Sequence, residues 1–195
     1  MSLKIGIAGP VGSGKTSLIE SLTNALKDKY SLGIVTNDIY TTEDANYLKK
    51  TLDLDEDRII GVETGGCPHT AIRDDISMNQ KAVVELEEKF NPDIIFVESG
   101  GDNLSATFSY ELIDYYTYVI DVAQGADIPR KKGAGLLFSD LLIVNKTDLA
   151  PHVEIDLVDM ENDVKVNRKN KPYVFLTKKN QDTLKNVIDW IEALK

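Results

Sequence analysis

The sequence predicts an α/β fold: one domain over residues 1–195 with a mostly parallel central sheet flanked by helices. Three observations carry this. Seven short apolar runs recur along the chain, with helical stretches between them, and several are continuous in Ile, Val, Leu, Phe and Tyr rather than alternating. That is the pattern of parallel strands covered on both faces. Next, Gly9-Pro10-Val11-Gly12-Ser13-Gly14-Lys15-Thr16 matches the phosphate-binding loop G-x-x-x-x-G-K-[ST] in full, where a strand runs into the loop and a helix runs out of it. This makes the fold a P-loop NTPase. Finally, 195 residues with 42% hydrophobic and 28% charged side chains suffice for one core, and no repeat, low-complexity tract or linker divides them.

The elements follow in order. Strands are expected at 4–8, 32–36, 58–62, 93–98, 116–121, 141–145 and 172–176. The helix after the phosphate loop carries Leu18, Ile19, Leu22, Ala25 and Leu26 on one face. A second amphipathic stretch carries Ile76, Val83, Leu86 and Phe90, and the last carries Leu184, Val187, Ile188, Ile191 and Leu194 at helical spacing. Asn91-Pro92-Asp93 closes a helix and opens a strand.

The composition also excludes. A formal net charge of −10 argues against a nucleic-acid partner. No apolar run approaches the ~18 residues of a membrane span. The sequence enters a core strand within its first residues, so no signal peptide is expected. The single cysteine makes no internal disulfide, as expected in a reducing compartment. A soluble, cytoplasmic protein is expected.

The glycines of the phosphate loop let backbone N–H groups converge on phosphate oxygens, with the helix N-terminus adding favourable partial charge. Ser17 follows on the first turn of that helix. Lys15 is placed to reach the outer phosphates, and the Thr16 hydroxyl to ligate Mg²⁺. Asn145-Lys146-Thr147-Asp148 follows the apolar 141–144 run, and N-K-x-D at that place reads guanine. The Asp148 carboxylate accepts two hydrogen bonds from guanine, and adenine offers no such pair of donors, so a buried carboxylate is left unpaired. Asn145 is expected to tie this loop to its neighbours, and the stem of Lys146 to cover a ring face. Thr177, just after the last strand, is expected as a second base contact. GTP is therefore preferred over ATP.

Mg²⁺ on a triphosphate needs hard oxygen ligands. Glu98 ends an apolar strand before Ser99-Gly100-Gly101, the place of a second acidic motif. Asp38, after the strand ending at Thr36, is expected to coordinate the metal or orient the attacking water, and Glu63 is a third candidate carboxylate. Lys15, Asp38 and Glu98 are the expected catalytic groups. No glutamine or arginine stands out as a catalytic finger, and Arg73 and Arg130 are no more than candidates. Without such a group hydrolysis is typically slower by ~10³–10⁵, so slow turnover is expected unless a partner completes the site.

Cys67, the only cysteine, and His69, one of two histidines, lie two residues apart in Glu63-Thr64-Gly65-Gly66-Cys67-Pro68-His69-Thr70. Thiolate and imidazole suit Ni²⁺, Zn²⁺ or Cu ions. The same residues also read as a buried thiol beside a surface histidine. Two ligands do not fill a four-coordinate site, but an isologous dimer presents each residue twice. Spacing does not choose the metal.

The phosphate loop with its Pro-Val-Gly-Ser, Thr36-Asn37-Asp38-Ile39-Tyr40-Thr41, the 61–69 stretch, Glu98-Ser99-Gly100-Gly101-Asp102-Asn103-Leu104 and Asn145-Lys146-Thr147-Asp148 together resemble the urease accessory GTPase family UreG, nearly end to end. The resemblance implies a SIMIBI-class GTPase that helps deliver nickel to apo-urease. It implies that Cys67 and His69 bind Ni²⁺ across a GTP-dependent homodimer, with Zn²⁺ as the other candidate. It further implies the accessory proteins UreF, UreD (also called UreH) and UreE, and urease itself, as partners. Some members carry a histidine-rich N-terminal tail, and no such tail is expected here. The 128–133 turn reads less glycine- and proline-rich than the family pattern. Two functions rival this one: a hydrogenase-type nickel-inserting GTPase such as HypB, which shares the nucleotide machinery, and a small-molecule P-loop kinase, which belongs to another class. The Cys-Pro-His context and Asp102-Asn103-Leu104 favour the urease family over the first. Asn145 to Asp148, which a kinase does not need, speak against the second.

Overall fold

In the computed structural model, residues 2–39, 41–66, 68–101 and 106–195 are described, Pro68 through its backbone alone. Seven strands form one sheet: β1 (Leu3–Ala8), β2 (Leu32–Asp38), β3 (Ile59–Glu63), β4 (Ile94–Glu98), β5 (Tyr115–Asp121), β6 (Leu141–Asn145) and β7 (Tyr173–Phe175). The helices are α1 (Lys15–Leu26), α2 (Glu43–Thr51), α3 (Pro68–Arg73), α4 (Ser77–Phe90), α5 (Ala134–Phe138), α6 (Leu157–Arg168) and α7 (Gln181–Glu192). Every strand pair is parallel, in the order β3-β2-β4-β1-β5-β6-β7.

Alternation along each strand fills two cores. Ile5, Ile7, Ile34, Phe96 and Val119 face α1, α2 and α7, where Leu18, Leu22, Leu26, Leu48 and Val187 meet them. Val35, Val97, Tyr118 and Ile120 face the other side, against Ile72, Val83, Leu86, Leu136 and Val164. Helices on both faces explain why the strands read as unbroken apolar runs. Buried Arg168 closes the second side near β7: its guanidinium donates to the carbonyls of Leu136, Ser139, Asp140 and Pro172 and to Ser139 Oγ, at 2.6–3.2 Å.

All seven expected strands form, with small shifts at their ends. β2 runs on to Asp38 because Asn37 and Asp38 pair with Val62 and Glu63, so Asp38 closes the strand rather than following it. Ala25 is exposed, not part of the apolar face of α1, because its side chain borders an open cavity between α1 and α7. α4 ends where Asn91 turns left-handed at φ 43, a conformation Asn tolerates. The side-chain oxygens of Asp156 and Asn180 cap α6 and α7.

β1 is the central strand of the sheet. Strands β2 to β4 lie on one side of it and β5 to β7 on the other. The carboxyl end of β1 is therefore the topological switch point, where open α/β sheets bind ligands. The phosphate loop sits there.

Candidate functional site: a phosphate loop between an acidic pair and a base loop

Two glycines show why the 9–16 loop takes its shape. A Cβ on Gly9 would lie 2.0 Å from the Val119 carbonyl oxygen, and one on Gly14, at φ 93, 2.5 Å from Asn145 Nδ2. Only glycine allows these approaches. α1 then begins at Lys15 with its first N–H groups free of intrahelical partners. Lys15 is buried, its ammonium donating to the Pro10 carbonyl at 3.3 Å. Val11, at the loop's tip, is 76% exposed.

The Thr16 hydroxyl lies between two carboxylates, 2.7 Å from Glu98 Oε1 and 3.1 Å from Asp44 Oδ1. Glu98 is at the end of β4, in register with Ile7 of β1, and is 1% exposed. Burial pushes its carboxyl up to about 7, against the pull of Lys15 and the Thr16 hydroxyl and reinforced by the charges of Asp44 and Asp38. Its second oxygen, Oε2, and the hydroxyls of Ser13 and Ser99 are buried with no hydrogen-bond partner among the described residues. Hard, unsatisfied oxygens clustered beside a phosphate loop suit Mg²⁺, which holds few protein ligands and several waters. Thr16, Glu98 and Asp44 could hold it.

Asp44 was not legible as a site residue. In the sequence it is one of two acids opening a helix, where carboxylates are favourable anyway. Only the approach of α2 to α1 brings it onto Thr16.

Asp38 and Glu63 end neighbouring strands in register. The Asp38 carboxylate accepts from the Ile39 N–H at 2.6 Å and from the Thr41 hydroxyl. Glu63 is exposed on the edge strand. Arg73 forks onto Asp74 at 3.0 and 3.1 Å, and Arg130 pairs with Asp163 at 3.4 Å, so these arginines' ion pairs are made on the surface.

On the other side of the phosphate loop stands the base loop. Asn145 Nδ2 donates to the Ser13 carbonyl at 2.9 Å, and its Oδ1 accepts from the Lys146 N–H at 2.8 Å. Lys146 adopts a left-handed conformation at φ 57. Its ammonium donates to the Gly12 carbonyl and pairs with buried Asp121 at 3.2 Å. Asp121 is a residue the sequence did not single out. Asp148 holds the Thr177 hydroxyl at 2.9 Å and the Lys179 ammonium at 3.1 Å, and these two contacts, in that order, keep its carboxyl below the usual range. Lys178 donates to Ser17 Oγ at 3.0 Å. A cavity of about 520 Å³ opens between α1 and α7 beside Asn145, Thr177 and Lys178.

His69 lies half-buried in the first turn of α3. Cys67, expected to ligate metal with it, lies outside the described residues, as does the 102–104 stretch. Among the described residues no three His, Cys, Asp or Glu side chains cluster tightly enough to hold a metal ion by themselves. Nor is any described helix long and apolar enough to cross a membrane.

The family model for the CobW/HypB/UreG nucleotide-binding domain matches residues 3–175. The urease accessory protein UreG of Aliarcobacter butzleri is 91% identical over 194 residues, covering 100% of both chains. That of Lysinibacillus sphaericus is 59% identical over 191 residues, covering 97% of this chain and 91% of its own. Among solved structures, HypB from Helicobacter pylori in complex with nickel superimposes with a TM-score of 0.81 at 21% identity, over 98% of this chain and 86% of its own. The hydrogenase maturation factor HypB from Archaeoglobus fulgidus gives 0.78, also at 21% identity, over 99% and 90%. These two likenesses bear on the fold. With a phosphate loop, a base loop and relatives matched from end to end, the chain belongs to the CobW/HypB/UreG family of nucleotide-binding domains and, within it, to the urease accessory protein UreG family.

Proposed function

We propose that the protein is a GTP-hydrolysing nickel metallochaperone of urease maturation, acting in the cytoplasm as a single G domain over residues 1–195. The observation that carries the nucleotide half is the Asn145–Ser13 hydrogen bond at 2.9 Å, which fixes base-reading and phosphate-binding loops in one frame. The loop from Gly9 to Thr16, with Ser17, cradles the phosphates, and Lys15 neutralises charge on the outer ones. Asp148 and Thr177 read guanine once Lys179 yields its place. Mg²⁺, when bound, draws negative charge from the phosphates. Thr16 and Glu98 would be its protein-side oxygens, joined by Asp44, with Asp38 and Glu63 at the neighbouring strand ends as further candidates. Glu98 or Asp38 orients the attacking water. Intrinsic turnover is slow unless a partner supplies a group that neutralises charge in the transition state.

Nickel is the cargo. Cys67 and His69 from two copies supply an S₂N₂ set, which suits Ni²⁺ or Zn²⁺. GTP binding favours the dimer that completes this set, and hydrolysis loosens it beside the urease site. Reciprocity then requires nickel to tighten GTP binding or dimerisation by the same factor. UreF, UreD/UreH, UreE and apo-urease are the proposed partners, and the name of the relatives, urease accessory protein, supports the last of them.

Light scattering with Mg²⁺ and a non-hydrolysable GTP analogue, with and without Ni²⁺, tests this. Wild-type dimers that require nickel and nucleotide together, with Cys67→Ala monomeric, are expected. Monomers in every condition would overturn the shared metal site.

A further inference from the structure

The strand end that carries Glu98 is bonded, through two buried amides, to the helix that carries His69. Asn37, 1% exposed, is the penultimate residue of β2, and Asn79, fully buried, lies in the first turn of α4. Asn37 Nδ2 donates to Asn79 Oδ1 at 2.8 Å, and Asn79 Nδ2 donates back to Asn37 Oδ1 at 2.8 Å. Each amide nitrogen has one N–H left. Asn37 gives its own to the Glu98 carbonyl at 2.9 Å, and Asn79 gives its own to the Ala71 carbonyl at 2.9 Å. Because both outer partners are carbonyls, the nitrogens must face outward, and this fixes the orientation of both side chains. All four N–H groups are used by side chains that are 1% exposed or less, where a broken link is costly.

Each end of this chain of bonds has a clear occupation. Glu98 carries on its side chain the contact to Thr16 of the phosphate loop. Ala71 belongs to the last turn of α3, whose final carbonyls have no intrahelical partner. Asn79 takes the Ala71 carbonyl, and the Ser109 N–H takes that of Ile72 at 2.8 Å. α3 spans only Pro68–Arg73, so a shift at Ala71 is passed to His69 within two residues. A buried asparagine pair is also a poor way to fill a core merely for stability, since apolar side chains of similar volume serve as well or better.

We infer that Asn79 is a positioning residue that transmits the state of the Glu98–Thr16 centre to α3 and thereby sets the placement of His69. The inference rests on the proposed reading of His69 as a nickel ligand and of Glu98 as part of the nucleotide centre. Asn79 itself touches neither ligand.

The test is a nickel titration of the full chain with Mg²⁺–GDP and with Mg²⁺ and a non-hydrolysable GTP analogue, on wild type, Asn79→Ser and Asn79→Ala. In wild type the two nucleotide states are expected to differ about tenfold or more in nickel affinity, within the usual range of allosteric coupling. In the variants that ratio falls below about twofold, while analogue affinity stays within about threefold of wild type. A folded Asn79→Ser with the wild-type ratio overturns the inference and leaves the proposed function standing. A wild type with no ratio at all overturns both. Should neither variant fold, amide hydrogen exchange on the wild type decides. The 71–79 amides are expected to change protection between the two nucleotide states, and identical protection overturns the inference.

Discussion

Asn145 Nδ2 reaches the Ser13 carbonyl at 2.9 Å across 132 residues of chain. The same amide explains why residue 14 is glycine, since a Cβ there would lie 2.5 Å from it. Asn145→Ala leaves the Ser13 carbonyl without its donor, at a cost of about 1–3 kcal/mol. Nucleotide affinity is expected to drop about tenfold or more, read by calorimetric titration with GDP. Unchanged affinity would show that the two loops hold their places independently.

Asp148 is already occupied on both oxygens, by Thr177 and Lys179. If Asp148 reads guanine as proposed, the base edge has to displace the lysine, which is exposed and bound by a surface ion pair of at most ~1 kcal/mol. Lys179→Ala is therefore expected to raise GDP affinity by about two- to fivefold. Asp148→Ala should lower it by about tenfold or more and erase the preference for guanine over adenine nucleotides. A loss of affinity in Lys179→Ala would instead make that lysine a ligand contact.

Glu98 sets a pH dependence in the protein free of nucleotide and Mg²⁺. Unfolded, its carboxyl titrates near 4.5, and folded it titrates at about 7. Between these values the folded state holds a proton that the unfolded chain has lost. Its contribution is thus fully present below pH ~4.5 and is lost as pH rises through ~7, up to roughly 3 kcal/mol in all. Thermal melts from pH 5 to 8 should show wild type losing stability relative to Glu98→Gln. Parallel melting profiles would refute the raised pKa.

Arg168 is 2% exposed and donates to four backbone carbonyls from three segments. Burial lowers its guanidinium to about 10, which leaves it charged at neutral pH. Arg168→Met strands these carbonyls, each costing ~1–3 kcal/mol when buried and unmet. With part relieved by relaxation, a fall in Tm of about 10 °C is expected. Nucleotide affinity should stay near wild type, since β7 and α6 contribute no residue to the phosphate loop.

Local sequence determined a good deal. The seven apolar runs marked seven strands because a strand covered on both faces has to be apolar throughout. The phosphate loop and the base loop were legible because their chemistry is carried by contiguous residues, where backbone geometry is set within a few positions. Asp44, Asp121 and the Asn37–Asn79 pair were not legible. Asp44 looks like any acid opening a helix, Asp121 like a strand-end turn residue, and a lone Asn in a strand or a helix names no partner. Their roles come from contacts across 28, 25 and 42 residues. Such contacts exist only once helix packing and the parallel sheet order have been set. Sequence periodicity records which face of an element is buried, and the tertiary structure alone decides which polar groups meet there.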